Sequence, residues 1–203
     1  MEKCLDKKYV NMSKLAEIIE IIIISLGVFL TPLVVPQILE FIFGANSFLA
    51  TNSQYIVGTI VNTCLIIAGI NAKGLKKILS IVFLPSISAL LSGYVLHISA
   101  IYTVYMIPFI WIGNFLLLIL YKYLFAYKNK NYLLTSISAI LAKCSIIFAG
   151  YNVLLYANII PQGSKIAQVL FTSMSLNQVI TAILGSIVSF ILIKFVYSRL
   201  EKN

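Results

Sequence analysis

Tyr102-Thr-Val-Tyr-Met-Ile-Pro-Phe-Ile-Trp-Ile-Gly-Asn-Phe-Leu-Leu-Leu-Ile-Leu-Tyr121 decides the class of fold, because it runs for twenty residues without a charged side chain. A helix crosses a bilayer with about 20 consecutive, mainly apolar residues. Outward from this stretch, similar runs recur between turn and charge signals. They predict spans at 15–35, 54–72, 75–96, 102–125, 132–157 and 175–198. The sequence therefore predicts an all-α integral membrane protein, a single six-helix bundle over residues 1–203. The connection from Pro36 to Ser53 carries Phe41, Phe43, Phe48 and Leu49, which suggests a segment in the interface or folded over the bundle. The connection from Ile159 to Met174 has Pro161, Gln162 and Gly163 before a short apolar stretch, and is placed to cap the same side.

Composition supports this class. Of 203 residues, 61% are hydrophobic and 10% charged, and the mean hydropathy is +1.01. A soluble chain is about 45–50% apolar and about 25% charged, so this one lacks the charge to cover a soluble surface. Disorder is excluded by the same numbers. Six spans and short loops use nearly the whole length, leaving no room within it for a soluble nucleotide-binding domain. The apolar run after the charged N-terminal residues is too long for a cleaved signal, and reads as a retained first span.

The net charge of +9 is mainly a topology signal. Lys3, Lys7, Lys8 and Lys14 precede span one, and Lys73, Lys76 and Lys77 follow span two. Lys122, Lys128 and Lys130 follow span four, and Lys194, Arg199 and Lys202 close the chain, so 13 of 15 basic residues fall on one side. Lys165 is on the other side, and Lys143 is inside span five. The positive-inside rule then predicts a multi-pass protein of the plasma membrane with both termini cytoplasmic. The lysines add affinity for anionic lipid and do not argue for nucleic acid.

The inventory of reactive groups is small. Cys4, Cys64 and Cys144 have no metal-ligand spacing, and Asp6 is the one aspartate. No Walker loop, HExxH or GxSxG is present, and the single histidine, His97, lies beside Ser99 near the outer end of span three, too shallow for an intramembrane protease. Neither a catalytic residue, a metal site nor a cofactor is expected. Small residues form stripes instead: Ser88, Ser92, Ala89 and Gly93 on span three, and Ala182, Gly185, Ser186 and Ser189 on span six. Such stripes let helix backbones approach closely, either within this bundle or against a membrane partner.

The polar residues within the spans are the candidates for function. Asn62 and Asn114 lie near mid-depth, and Asn152, Asn177 and Gln178 nearer the outside. With Tyr102 and Tyr105 they converge on the outer half, where each pairs with a neighbouring helix or joins in a pocket. Pro85 and Pro108 free carbonyls nearby. Trp111 and Asn114, three apart, are expected to face the pocket or the central seam together, with Pro108 on the same side. Ligand-binding candidates are thus Asn62, Tyr105, Trp111, Asn114, Lys143, Asn152 and Gln178.

Lys143 is the most demanding of these. It lies 11 residues past Tyr132, roughly 16 Å deep at 1.5 Å per residue. Snorkelling recovers about 6 Å of that. A lone ammonium at the bilayer centre costs about 2.5–3.5 kcal/mol, so it needs a partner. Three solutions stay open: an ion pair with Glu17 or Glu20 of span one, contact with an anionic solute group or a proton-linked switch, or a neutral amine bonded to carbonyls.

Four stretches carry a resemblance: Tyr55-Ile-Val-Gly-Thr-Ile-Val-Asn62, Phe83-Leu-Pro-Ser-Ile-Ser-Ala-Leu-Leu-Ser-Gly93, Met106-Ile-Pro-Phe-Ile-Trp-Ile-Gly-Asn114 and Leu176-Asn-Gln-Val-Ile-Thr-Ala-Ile-Leu-Gly185. Over residues 54–198 the chain resembles the substrate-binding S components of energy-coupling factor transporters. Within them it is similar to a branch often labelled "iron hydrogenase". The resemblance implies an importer subunit that captures a vitamin-like or other small solute from outside. Its implied partners are the solute, the lipid bilayer, a coupling transmembrane subunit and ATPase subunits. The label does not fit, since an iron-only hydrogenase needs several cysteine ligands for its clusters. Span one departs from the family: it has Ala16, Ser25 and Gly27 but no Ala-x-x-x-Ala docking pair. Another stripe, a dedicated partner or independent action all stay open, as does a structural or assembly subunit with no ligand.

The charge asymmetry makes topology testable. A cysteine replacing Lys128 should react with an impermeant maleimide only from the cytoplasmic side, and one replacing Ser47 only from outside. The reverse labelling would overturn this orientation.

Overall fold

The computed structural model describes Cys4, residues 13–92 and residues 100–197. Lys3, Asp6, Lys7, Lys8, Gly93, His97, Ser99, Arg199 and Lys202 lie outside the described residues. Six helical stretches among these residues are long and apolar enough to cross a membrane, consistent with a multi-pass membrane protein.

Helix α1 (Lys14–Phe43) begins at Ser13, whose Oγ accepts from the Ala16 N–H at 3.2 Å. It does not stop near residue 35 as predicted, but continues through Pro32 and Pro36 to Phe43. Proline removes a backbone donor and frees a carbonyl; a transmembrane helix tolerates this where hydroxyls or neighbouring helices supply new donors. Pro32 and Pro36 free the carbonyls of Val28 and Pro32; beside the first of these, Thr31 Oγ1 donates to Gly27 O at 2.5 Å, and Ser88 of a neighbouring helix donates to Phe29 O. Phe41 and Phe43, predicted to lie in the connection, are exposed on the last turn of α1. The connection is correspondingly short, with only the single turn α2 (Phe48–Thr51) before the next span.

Helix α3 (Ser53–Asn71) joins α4 (Leu75–Ser92) through Gly74, whose φ of +79° suits a residue without Cβ. Helix α5 (Ala100–Leu120) continues as a π-helical segment, Tyr121–Tyr127. Asn131 Oδ1 then accepts from the Leu133 N–H at 2.8 Å to start α6 (Tyr132–Tyr156). Ser164 caps the amphipathic α7 (Lys165–Met174), which buries Ala167, Leu170 and Met174 against Met106, Ile147, Tyr151 and Leu154. The chain breaks at Ser175 and re-enters as α8 (Leu176–Leu192), extended by π-helical Ile193–Tyr197.

Short loops make successive spans antiparallel. One end of the bundle therefore gathers Lys14, Lys73, Lys76, Lys77, Lys122, Lys128, Lys130 and Lys194, whereas the far end carries α2, α7 and Lys165. Helix α3 is the central element, packed against α1, α5 and most extensively α8. At the basic end, a hydroxyl cluster ties α6 and α8 to the end of α5. Tyr121 Oη donates to Ser136 Oγ at 2.7 Å and lies 3.0 Å from Ser186 Oγ. Tyr132 Oη donates to Ser186 O at 2.7 Å and lies 2.7 Å from Ser189 Oγ.

The small residues of α8 face inward. Ala182 and Ser189 are fully buried, and a Cβ at Gly185 would lie 2.6 Å from Asn62 Cβ. Ser88 binds α1 as described, while Ser92 Oγ turns back to Ala89 O of its own helix at 2.9 Å. Gly185→Val should therefore push α8 off α3, costing about 1–3 kcal/mol, as overpacking typically does. Thermal melts in detergent should show a lower midpoint for this variant, with little change for the outward-facing Ile183→Val. An unshifted midpoint would mean that the close approach is not needed.

Candidate functional site

A cavity of about 150 Å³ lies within the bundle, walled by α1, α3, α4, α5, α6 and α8 and reached by the end of α7. Helical periodicity builds its walls. On α5, Thr103, Ile107, Ile110 and Asn114 recur at steps of four, three and four, which keeps them on one face. Helix α3 supplies Val57, Gly58, Val61 and Asn62, and α8 supplies Asn177, Gln178 and Thr181. Pro32, Pro85, Ser86 and Ala89 complete the side toward α1 and α4.

Lys143 enters from α6, only 3% exposed. Its Nζ donates to Asn62 Oδ1 at 2.5 Å, and this is its only hydrogen bond among the described residues. Asn62 Nδ2 donates to Thr181 Oγ1 at 3.2 Å, and Thr181 Oγ1 donates to Asn177 O at 2.7 Å. Tyr55 Oη donates to Asn177 Oδ1 at 2.8 Å, fixing that amide from α3. The chain of bonds thus runs from α6 to α3 to α8 and back to α3.

Several donors remain unspent. Asn177 Nδ2 and Ser86 Oγ are buried without a partner, and both residues line the cavity. Asn114, 3% exposed, makes no side-chain hydrogen bond to any described residue. A buried unsatisfied polar group costs about 1–3 kcal/mol. No carboxylate lines the cavity among the described residues. The site is therefore rich in donors, with Lys143 the one ionisable side chain in its lining and no acidic group beside it among the described residues.

The ion pair with span one does not form. Glu20 Oε1 accepts from Asn71 Nδ2 at 2.7 Å, and Glu17 lies 3.6 Å from Lys77. Both acids belong to the first two turns of α1 at the basic end, and α3 stands between them and Lys143. The amine is instead paired with an amide.

Of the seven candidates, Asn62, Asn114, Lys143 and Gln178 come together around the cavity, with Gln178 Nε2 3.5 Å from Ser173 O. Tyr105 does not: it is 47% exposed, two residues from Thr103 and so on the opposite face of α5. Asn152 follows Lys143 by nine residues, two and a half helical turns, which aims it away; its Nδ2 returns to Phe148 O at 2.8 Å. Trp111 packs in the α4–α5 seam, its ring 4.5 Å from that of Phe83, outside the cavity. Pro108 faces outward, contrary to expectation, because two three-residue steps fall about 120° short of two full turns.

Sequence reasoning passed over Ser86, Thr103 and Thr181 and left Asn177 out of the candidate set. The spacing of Asn177, Thr181, Gly185 and Ser189 at every fourth residue was the available signal. A second hollow of about 540 Å³ lies at the basic end beside Phe125, Lys130, Tyr132 and Phe190. Its hydroxyls, Ser136 and Ser186, already bond one another at 2.9 Å. Among the described residues no three His, Cys, Asp or Glu side chains meet as a metal site would require. Comparison with protein-family models, curated proteins and solved structures found no match to this chain.

Double-mutant cycles test the amide pairing. Lys143→Met and Glu20→Gln should be additive to within about 0.5 kcal/mol, as separate sites are, whereas Lys143→Met and Asn62→Leu should couple by about 0.5–3 kcal/mol. Thermal denaturation of the single and double variants reads both. Coupling of Lys143 to Glu20 alone would reverse the assignment.

Proposed function

We propose that this chain is the solute-binding membrane subunit of an ATP-driven importer of the energy-coupling factor type. In this reading it lies in the plasma membrane with the basic end and both termini in the cytoplasm. The cavity then receives a small molecule from outside, past Gln54, Ser173 and Gln178 at the far end. The subunit performs no chemistry. Transport energy comes from partner ATPases through a coupling membrane protein.

One observation carries this reading. The four stretches that resemble S components are separated in sequence, yet each contributes at least three residues to the wall of the same cavity. Those residues are Val57, Gly58, Val61 and Asn62, then Pro85, Ser86 and Ala89, then Ile107, Ile110 and Asn114, then Asn177, Gln178 and Thr181. A subunit that served only to assemble a complex would spend its buried polar groups on internal pairs, and Asn177 Nδ2 and Ser86 Oγ have not been so spent. A cavity of about 150 Å³ is below the roughly 300–1,000 Å³ of drug-sized ligand pockets, so the reading takes a compact solute.

Purification from its native membrane without added ligand tests this function. Native mass spectrometry should find a stoichiometric small molecule, and affinity capture should bring ATPase subunits with a coupling membrane protein. Recovery as a lone chain that carries no small molecule and draws down no ATPase would overturn it.

A further inference from the structure

The charge balance of the cavity restricts what it can hold. We propose that its ligand is a small organic monocarboxylate whose carboxylate is countered by Lys143; this rests on the solute-binding function above. The Lys143 amine has three donors and gives one to Asn62 among the described residues. Asn177 Nδ2, the Ser86 hydroxyl and the unpaired Asn114 amide add further donors to the same wall. A carboxylate accepts through two oxygens with about four lone-pair sites, which matches a wall that has donors in surplus.

Other ligand classes match less well. A neutral solute leaves the ammonium without a counter-charge. A dianion brings a second charge that no other cation in the lining meets, since Lys143 is the single charged residue there. A zwitterion brings its own ammonium, and no lining carboxylate receives it. A bare inorganic anion leaves the apolar side of the cavity, formed by Pro32, Val57, Val61, Pro85, Ile107 and Ile110, without contacts. The size matters too: an enclosed cavity of about 150 Å³ accommodates benzene, so acids built on a body of about that size are suitable probes for this one.

Isosteric pairs of probes test the assignment on the full chain in detergent at constant ionic strength. The pairs are benzoate with benzamide and isobutyrate with isobutyramide, read by calorimetric titration and by thermal midpoint. At least one acid should bind at least tenfold more tightly than its amide and raise the midpoint. Lys143→Met should abolish that preference while keeping weak binding of the amide. The acid-to-amide ratio in the unmodified protein stands without the variant, should the variant fail to fold. Equal binding of acid and amide would sink the carboxylate assignment and leave solute capture intact. Binding of nitrate or chloride in preference to both acids would also overturn it, in favour of a bare-anion site. If neither acid binds, the monocarboxylate assignment falls, while the molecule recovered by native purification separately decides whether a solute is captured at all.

Discussion

Lys143 points its amine from α6 into the middle of the bundle, and the placement of its neighbours follows from what that amine requires. An ammonium at this depth facing hydrocarbon costs about 2.5–3.5 kcal/mol. The Asn62 amide removes part of that cost by accepting from Nζ, and its own N–H then needs an acceptor, which Thr181 provides. Three helices are drawn to one point by two bonds. The point is reachable only because α8 presents Gly185 where a Cβ would collide with Asn62. A glycine on one helix and a lysine on another are thus parts of a single solution, although 42 positions apart in sequence.

Polar residues in these spans fall into two kinds. Thr59, Thr135 and Ser138 each donate to the carbonyl four residues earlier, at 2.6–3.0 Å, which satisfies a hydroxyl without involving a neighbouring helix. Such groups are electrically quiet and compatible with lipid, where no water is present to receive them. Amides and the lysine cannot retire so completely, because they carry more donors than one turn of helix can absorb. The cavity is where those surplus donors collect.

The fold was more legible than the site, for a physical reason. Apolar run length and lysine placement act over whole spans, so small errors average out, and five of the six predicted spans overlap observed helices closely. Span one failed at its end because Pro36 reads as a stop in isolation, whereas the helix runs through it to Phe43. Site residues depend on phase, which is fixed by a few tens of degrees of helical rotation. Asn114 and Lys143 were recoverable from depth and polarity. Tyr105 and Asn152 have suitable chemistry but the wrong phase, and the partner of Lys143 was missed because opposite charge drew attention to Glu17 and Glu20 while a nearer neutral amide had the geometry.

Trp111 gives the molecule an optical property. It is the one tryptophan in the sequence, wedged against Phe83 with its indole N–H buried and unbonded. Its emission consequently comes from a single, water-poor place, one turn of α5 away from Asn114. A shift of α5 against α4 changes the packing of that ring on Phe83, and with it the colour and lifetime of the light emitted. The protein carries a built-in spectroscopic gauge of its own interior, requiring no added dye.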